Sequence, residues 1–252
     1  MNKKGETPLS KTAYEAWNTK LSACQVYSEK VIPESILEQH REEINRQSPL
    51  LHRFYLLRSR IIHRALNYIT GHIDENNDFQ LLLLGGGLDV SYEKRYPQAK
   101  CFVVDVLDIV QARKPHQPFN TVSLEGDLIA WPKVLSDLLM SGLDPTIPTV
   151  VIVESVFAYL PSGVPATILH SLATSFRRCF LLIFDVCFAS STENGFAEML
   201  FSKFNTKQAP LLSVYSPGDL HTLLYASAYL HADVLTMYEA SCLLLNEKNK
   251  AQ

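Results

Sequence analysis

Residues 81–89, Leu81-Leu82-Leu83-Leu84-Gly85-Gly86-Gly87-Leu88-Asp89, constrain the fold of this chain more than any other stretch. Four consecutive leucines between Gln80 and a glycine run predict a short strand buried on both faces. The three glycines let the backbone turn tightly and approach a ligand that a Cβ would hold off. Their spacing is neither Gly-x-Gly-x-x-Gly nor a Walker loop with its Lys-Ser/Thr. Taken alone, the run is equally a strand that ends in a turn.

The rest of the chain alternates in the same manner. Cys101–Asp105, Thr121–Leu124, Thr149–Glu154 and Cys179–Asp185 predict four further strands, with helical segments at Tyr92–Tyr96, Val106–Lys114, Pro132–Met140, Gly163–Phe176, Phe196–Phe204 and Asp219–Ala228. Upstream, residues 1–10 read as a polar lead-in, and helix-like spacings run from Lys11 to about Gln47 with a break at Pro33, including Trp17, Leu21, Cys24, Ile36 and Ile44. Pro49 opens a further helix with Phe54, Leu57, Ile61, Ala65 and Tyr68 at spacings of three and four. Asp74–Asp78 is a polar connector, and the tail from Leu230 predicts one or two more strands before a frayed end at Asn246–Lys250. Strands alternating with helices imply an α/β, doubly wound parallel sheet with an N-terminal helical cap. The chain reads as a single domain over 1–252, with the cap at 1–72 and a Rossmann-like core at 73–252.

Composition excludes several classes. A formal net charge of −3 over 252 residues leaves no electrostatic footprint for nucleic acid or an anionic membrane. The start, Met1-Asn2-Lys3-Lys4-Gly5-Glu6, lacks a signal-peptide core, and no apolar run reaches membrane-spanning length, so a soluble cytoplasmic protein is expected. The five cysteines are odd in number and widely spaced, which favours reduced core thiols over disulfides. The eight histidines show no metal-ligand spacing, and no metal is expected.

In a doubly wound sheet, ligands sit beyond the carboxyl ends of the strands, where the strand order reverses. Four strand ends here carry notable residues: the glycines with Asp89, then Asp105, Asp127 and Glu154. A carboxylate after the second strand can accept from both hydroxyls of a ribose, and Asp105 lies 18 residues beyond Gly87. Asp105 also reads as a helix N-cap, Asp127 as another, and Glu154 as a solvent-facing strand terminator. Their coincidence at the right strand ends favours a shared site. Nicotinamide dinucleotides and S-adenosylmethionine both use this layout. A dinucleotide wants a pyrophosphate cradle that Gly85-Gly86-Gly87-Leu88-Asp89-Val90 does not supply, whereas a ligand without phosphates needs none. Spacing therefore favours methyl transfer.

Several segments resemble, in order, those of the leucine carboxyl methyltransferase family. Ser48-Pro49-Leu50-Leu51-His52-Arg53-Phe54-Tyr55-Leu56-Leu57-Arg58 resembles its S-P-x-I-N/H-R-G-Y-x-x-R segment, and Leu84-Gly85-Gly86-Gly87-Leu88-Asp89 its L-G-A-G-x-D loop. Val104-Asp105-Val106 is similar to V-D-F, Gly126-Asp127-Leu128 to a D-L site, and Val153-Glu154-Ser155-Val156-Phe157-Ala158-Tyr159-Leu160 to A-E-x-V-L-x-Y-L. Asn18-Thr19-Lys20-Leu21-Ser22-Ala23 is a weaker match to an S-K-R segment, and the whole resemblance covers about residues 13–187.

The resemblance implies a class I S-adenosylmethionine-dependent methyltransferase sheet with S-adenosylmethionine as donor. Lys20 and Arg58 would hold the methionine carboxylate over Gly85, Gly86 and Gly87, Asp105 the ribose, Asp127 and Leu128 the adenine, and Glu154 the rim around the amine. On its chemistry Arg58 reads as the key cation, able to grip a carboxylate bidentately, or else as a surface or helix-face arginine, and Tyr159 reads equally as lining the acceptor pocket or as a plain core aromatic. The family methylates the C-terminal leucine carboxylate of protein phosphatase 2A catalytic subunits, which implies a protein partner of that kind. It also includes enzymes that methylate a carboxylate on a wybutosine-pathway tRNA base, and nucleic acid enters only under that alternative. Phe54 stands where the family has glycine, Phe184-Asp185-Val186 where it has Y-E-Q, and the family's C-terminal part is usually longer. These departures motivate a third expectation, a non-catalytic S-adenosylmethionine-binding relative.

Overall fold

The leucine run forms the middle strand of a parallel sheet in the computed structural model of the chain, which describes residues 7–28, 32, 34–39, 48–73, 78–188 and 195–248. Strand β1 (Gln80–Leu84) pairs on one side with β2 (Lys100–Asp105), Leu82 opposite Phe102. On the other side it pairs with β4 (Thr149–Glu154), Leu82 opposite Val151. β3 (Thr121–Glu125) lies outside β2 and β5 (Cys179–Phe184) outside β4, giving the order β3-β2-β1-β4-β5. The order reverses between β1 and β4, so a crevice opens where Leu84 and Glu154 end side by side.

Alternation along each strand sends side chains to two helical layers. Leu82, Leu84, Phe102, Val104, Val151 and Val153 pack against α6 (Trp131–Met140), α7 (Val164–Ser175) and α9 (Pro217–Ala226). Leu81, Leu83, Cys101, Val103, Val150 and Ile152 pack against α3 (Pro49–Gly71) and α4 (Ser91–Arg95), through Ile62, Leu66 and Tyr92. Each of the four leucines is at most 2% exposed. Burial of a leucine side chain contributes about 2 kcal/mol before ordering entropy is subtracted. That is why an unbroken apolar run, rather than an alternating one, marks this strand.

The N-terminal helices form a third cluster, in which Trp17, Leu21 and Cys24 of α1 (Pro8–Tyr27) meet Ile36 of α2 (Glu34–Gln39), Leu56 of α3 and Val90. α1 begins inside the expected lead-in, because Thr7 accepts a hydrogen bond from the Ser10 amide and Pro8 occupies the first turn. Ser48 caps α3 in the same way, accepting from the Leu51 amide. α5 (Leu107–Arg113) follows β2, and α8 (Gly195–Thr206) lies beyond β5.

The tail corrects the sequence expectation. Residues 230–236 carry no strand, and α10 (Met237–Lys248) follows, taking in Asn246–Lys248 of the segment read as frayed. Thr236 and Glu239 form reciprocal capping bonds that start this helix, which outweigh the strand propensity of the apolar residues before it. No disulfide joins the cysteines among the described residues, but only Cys24 and Cys101 are buried; Cys187 is exposed. The lead-in at 1–6, the helical pattern around Ile44, the connector at 74–77 and the end at 249–252 lie outside the described residues. Among the described residues, no helix is long and apolar enough to cross a membrane, and no side-chain group could hold a metal ion.

Candidate active site

Each glycine after β1 answers to a different neighbour. Gly85, at φ 62°, donates its amide to the Val104 carbonyl at 2.8 Å, and a Cβ there would stand 2.5 Å from Val156 Cγ2. At Gly86 a Cβ would meet Val103 Cγ1 at 2.6 Å. Gly87, at φ 58°, is different: nothing lies within 4 Å of its Cβ position. Packing thus dictates the first two glycines, while the third leaves room beside a left-handed turn. The Gly87 amide donates to Asp105 Oδ2 at 2.8 Å, and the Val106 amide to Asp105 Oδ1 at 2.8 Å. Asp105 is therefore no ordinary N-cap of α5; it fastens the glycine loop to the end of β2. Burial raises its pKa above the ordinary aspartate value, against the pull of these two amides.

Two buried cations face this floor. Lys20, on α1, pairs with Asp89, and its ammonium lies 5.2 Å from the Tyr92 ring centroid. Arg58, on α3, donates from Nε to Glu154 Oε1 at 2.5 Å, and Tyr92 donates its hydroxyl to Glu154 Oε2 at 2.6 Å. Burial disfavours all four charges, yet mutual attraction wins. Lys20 and Arg58 are held above their usual pKa values, Glu154 below its own, and Asp89 falls to about 2. Glu154 is thus no solvent-facing terminator, and Arg58 is no surface arginine at 8% exposure. The Arg58 guanidinium also lies 5.4 Å and 5.2 Å from the ring centroids of Tyr55 and Phe184.

The departures from the family pattern have structural accounts. Phe54 turns to the rim, 40% exposed, and packs edge-on against Tyr55 and Phe184, the rings that stack with Arg58. Asp185 Oδ2 accepts from the Val156 and Ala158 amides, each at 3.2 Å, and so holds the turn after β4. That turn begins with Ser155 at φ 57° and carries Tyr159, whose ring meets Phe204 of α8. Burial and the nearby Asp185 charge push the Tyr159 pKa up to about 12. Asp127 accepts from the Ile129 amide at 2.9 Å and caps the short turn Leu128–Ala130, as its N-cap reading had it.

Lys20, Arg58, Gly85, Gly86, Gly87, Asp105, Asp127, Leu128, Glu154 and Tyr159 all line one cleft of about 2190 Å³. Asp89 and Tyr92, which complete its charged cluster, carry no signal in the sequence beyond Asp89 closing the glycine motif. The arrangement fits S-adenosylmethionine on three counts. Two cations and two acids match a zwitterionic amino acid, Gly87 leaves the floor open, and Asp105 keeps spare lone pairs for a diol. Among the described residues the terminal nitrogens of Arg58 make no hydrogen bond, so its fork is available to a carboxylate.

No family model matches the chain. It is 25% identical over 201 residues to tRNA wybutosine-synthesizing protein 4 of Rattus norvegicus, a match that takes in 67% of this chain and 29% of the rat protein. The chain thus spans under a third of that relative's length. A crystal structure of a Thermobifida fusca YX protein assigned to the methyltransferases superposes with a TM-score of 0.57 at 15% identity, over 69% of this chain and 67% of that one. A DUF574 family protein from Streptomyces avermitilis gives 0.52 at 15% identity, over 66% and 68%. The parallel five-stranded sheet with its helical layers is the fold of these solved structures, and the rat relative is consistent with the resemblance drawn from the sequence.

Proposed function

We propose that this chain is an S-adenosylmethionine-dependent carboxyl O-methyltransferase acting on the C-terminal leucine carboxylate of a protein phosphatase 2A-type catalytic subunit. The observation that carries the reading is Arg58: a buried cation beside the glycine floor, set among the rings of Tyr55 and Phe184. Cation and apolar wall together suit a carboxylate borne by an apolar residue.

When bound, S-adenosylmethionine supplies an electrophilic sulfonium methyl. Lys20 and Arg58 orient anionic groups, Glu154 and Asp89 hold the cations in place, and Gly87 gives the approach its clearance. A chain-terminal carboxylate has a reference pKa of ~3.5 and needs no general base at neutral pH. Orientation and exclusion of water then suffice for in-line attack. The absence of a His-carboxylate pair from the proposed roles accords with this, as does Tyr159 holding its proton in the neutral range.

A second reading has the likeness to the rat wybutosine-synthesizing protein in its favour: methylation of a carboxylate on a tRNA base. Calorimetric titration with S-adenosylmethionine comes first, and a folded sample that gives no heat would sink both. Radiolabelled methyl transfer to a phosphatase subunit ending in leucine, set against unmodified tRNA, then separates them. Label is expected on the protein, and Arg58→Ala and Asp105→Ala are each expected to abolish or greatly weaken donor binding. Full affinity in both variants would refute the site assignment.

A further inference from the structure

Beneath the glycine loop lies an arginine that takes no part in lining the cleft. Arg113, the last residue of α5, is 1% exposed, and its Nη2 pairs with Glu93 of α4, both side chains being fully buried. Its Nη1 points at the loop and donates to the carbonyls of Gly86 at 3.1 Å, Gly87 at 2.6 Å and Asp89 at 3.2 Å. A single nitrogen thus gathers three carbonyls from four consecutive residues.

Such a pair is a poor way to stabilise a core, because desolvation offsets most of the attraction and apolar residues of similar volume do as well. Arg113 Nε and one Glu93 oxygen lack partners among the described residues, which weakens the stability explanation further. What the pair does accomplish is conformational. Three consecutive glycines leave a loop with many backbone states. Carbonyls drawn down to Arg113 cannot turn into the cleft, where they would repel a ligand carboxylate. From the other side Asp105 takes the Gly87 amide, so the loop is pinned through both kinds of backbone group.

We propose that Arg113, braced by Glu93, is a positioning residue for the donor, holding the glycine loop in the one arrangement that keeps the carbonyls of Gly86, Gly87 and Asp89 out of the cleft. The inference rests on the proposed donor. Loss of the brace leaves the loop to be ordered at the expense of binding, and donor affinity should fall about 10-fold or more.

The test uses the full chain and two variants. Arg113→Met with Glu93→Met removes both charges and leaves no unpaired buried ion; Arg113→Lys keeps one charge but cannot span Glu93 and three carbonyls at once. The readouts are the S-adenosylmethionine dissociation constant, thermal melting, and amide hydrogen exchange resolved at Gly85–Leu88. In the double variant the sheet amides are expected to stay protected while the loop amides exchange faster and affinity drops, with Arg113→Lys recovering part of it. Unchanged affinity and loop protection in a folded double variant would overturn the inference and leave the donor in place. Wild-type protein that binds no S-adenosylmethionine would overturn the donor itself. Should the double variant fail to fold, Arg113→Lys decides: selective loss of affinity at an unchanged melting temperature supports the brace, and wild-type affinity overturns it.

Discussion

Gly86 and Gly87 are neighbours with opposite tolerances. An alanine at Gly86 drives its methyl into Val103, in the middle of a packed sheet face, and overpacking of that kind costs about 1–3 kcal/mol. An alanine at Gly87 meets open space and bears only the left-handed backbone, at about 1–2 kcal/mol, but its methyl projects where the donor is proposed to lie. Urea melts and calorimetry should therefore split the two: Gly86→Ala loses stability through the core, while Gly87→Ala stays folded and loses donor affinity. His63 offers a pH-dependent test. It is 6% exposed, both ring nitrogens lack partners among the described residues, and its ring stacks 5.1 Å from Tyr92. Burial first, and the Lys20 charge second, lower its pKa from 6.5 to about 4. As pH falls from 6.5 toward 4, the unfolded chain takes up a proton there and the folded chain does not, so stability declines, by about 3 kcal/mol. His63→Phe should remove that component, seen as a wild-type-minus-variant stability difference that falls between pH 7.5 and 4.5; a parallel pair of curves, with a constant difference, would count against it. The acids that line the cleft stood out in the sequence because an acid at the end of an apolar run has few uses. Their partners were not: Lys20 and Asp89 stand 69 positions apart, Arg58 and Glu154 96, and no local pattern links them.

At the scale of elements, legibility followed the strength of local signals. Four of the five strands are built on runs of apolar residues, while β3, Thr121-Val122-Ser123-Leu124-Glu125, alternates polar with apolar as a half-buried edge strand does. Helix starts were clear where Ser or Pro marked them, as at Ser48-Pro49 and Ser216-Pro217. The tail failed for a physical reason: Val234 and Leu235 look strand-like, but no neighbour strand exists there to pair with them among the described residues, and the Thr236-x-x-Glu239 box nucleates a helix instead. α9 carries the same device. Ser216 Oγ accepts from the Asp219 amide at 3.1 Å, and Asp219 Oδ2 accepts from the Ser216 amide at 3.2 Å. Ser216→Ala should cost about 1 kcal/mol in the urea midpoint and leave donor affinity unchanged, because the box lies at the surface.

For the molecule as a whole, the alternation of strands and helices announced a doubly wound sheet, and the strand order β3-β2-β1-β4-β5 realises it. The order itself follows from which strand edges find each other across the chain, something no segment records. That order also sets a timetable for a chain emerging from the ribosome. β1 meets its first neighbour 20 residues on, Gln80 opposite Lys100, but its second only at Thr149. Translation at about 5–20 residues per second makes the second wait last several seconds. Throughout it, one edge of the leucine strand stands open to any other strand. α3 is synthesised before β1, and Ile62 and Leu66 are the residues that later cover Leu81 and Leu83. The helix that brings Arg58 to the cleft is thus also the first shelter available to the nascent leucine strand.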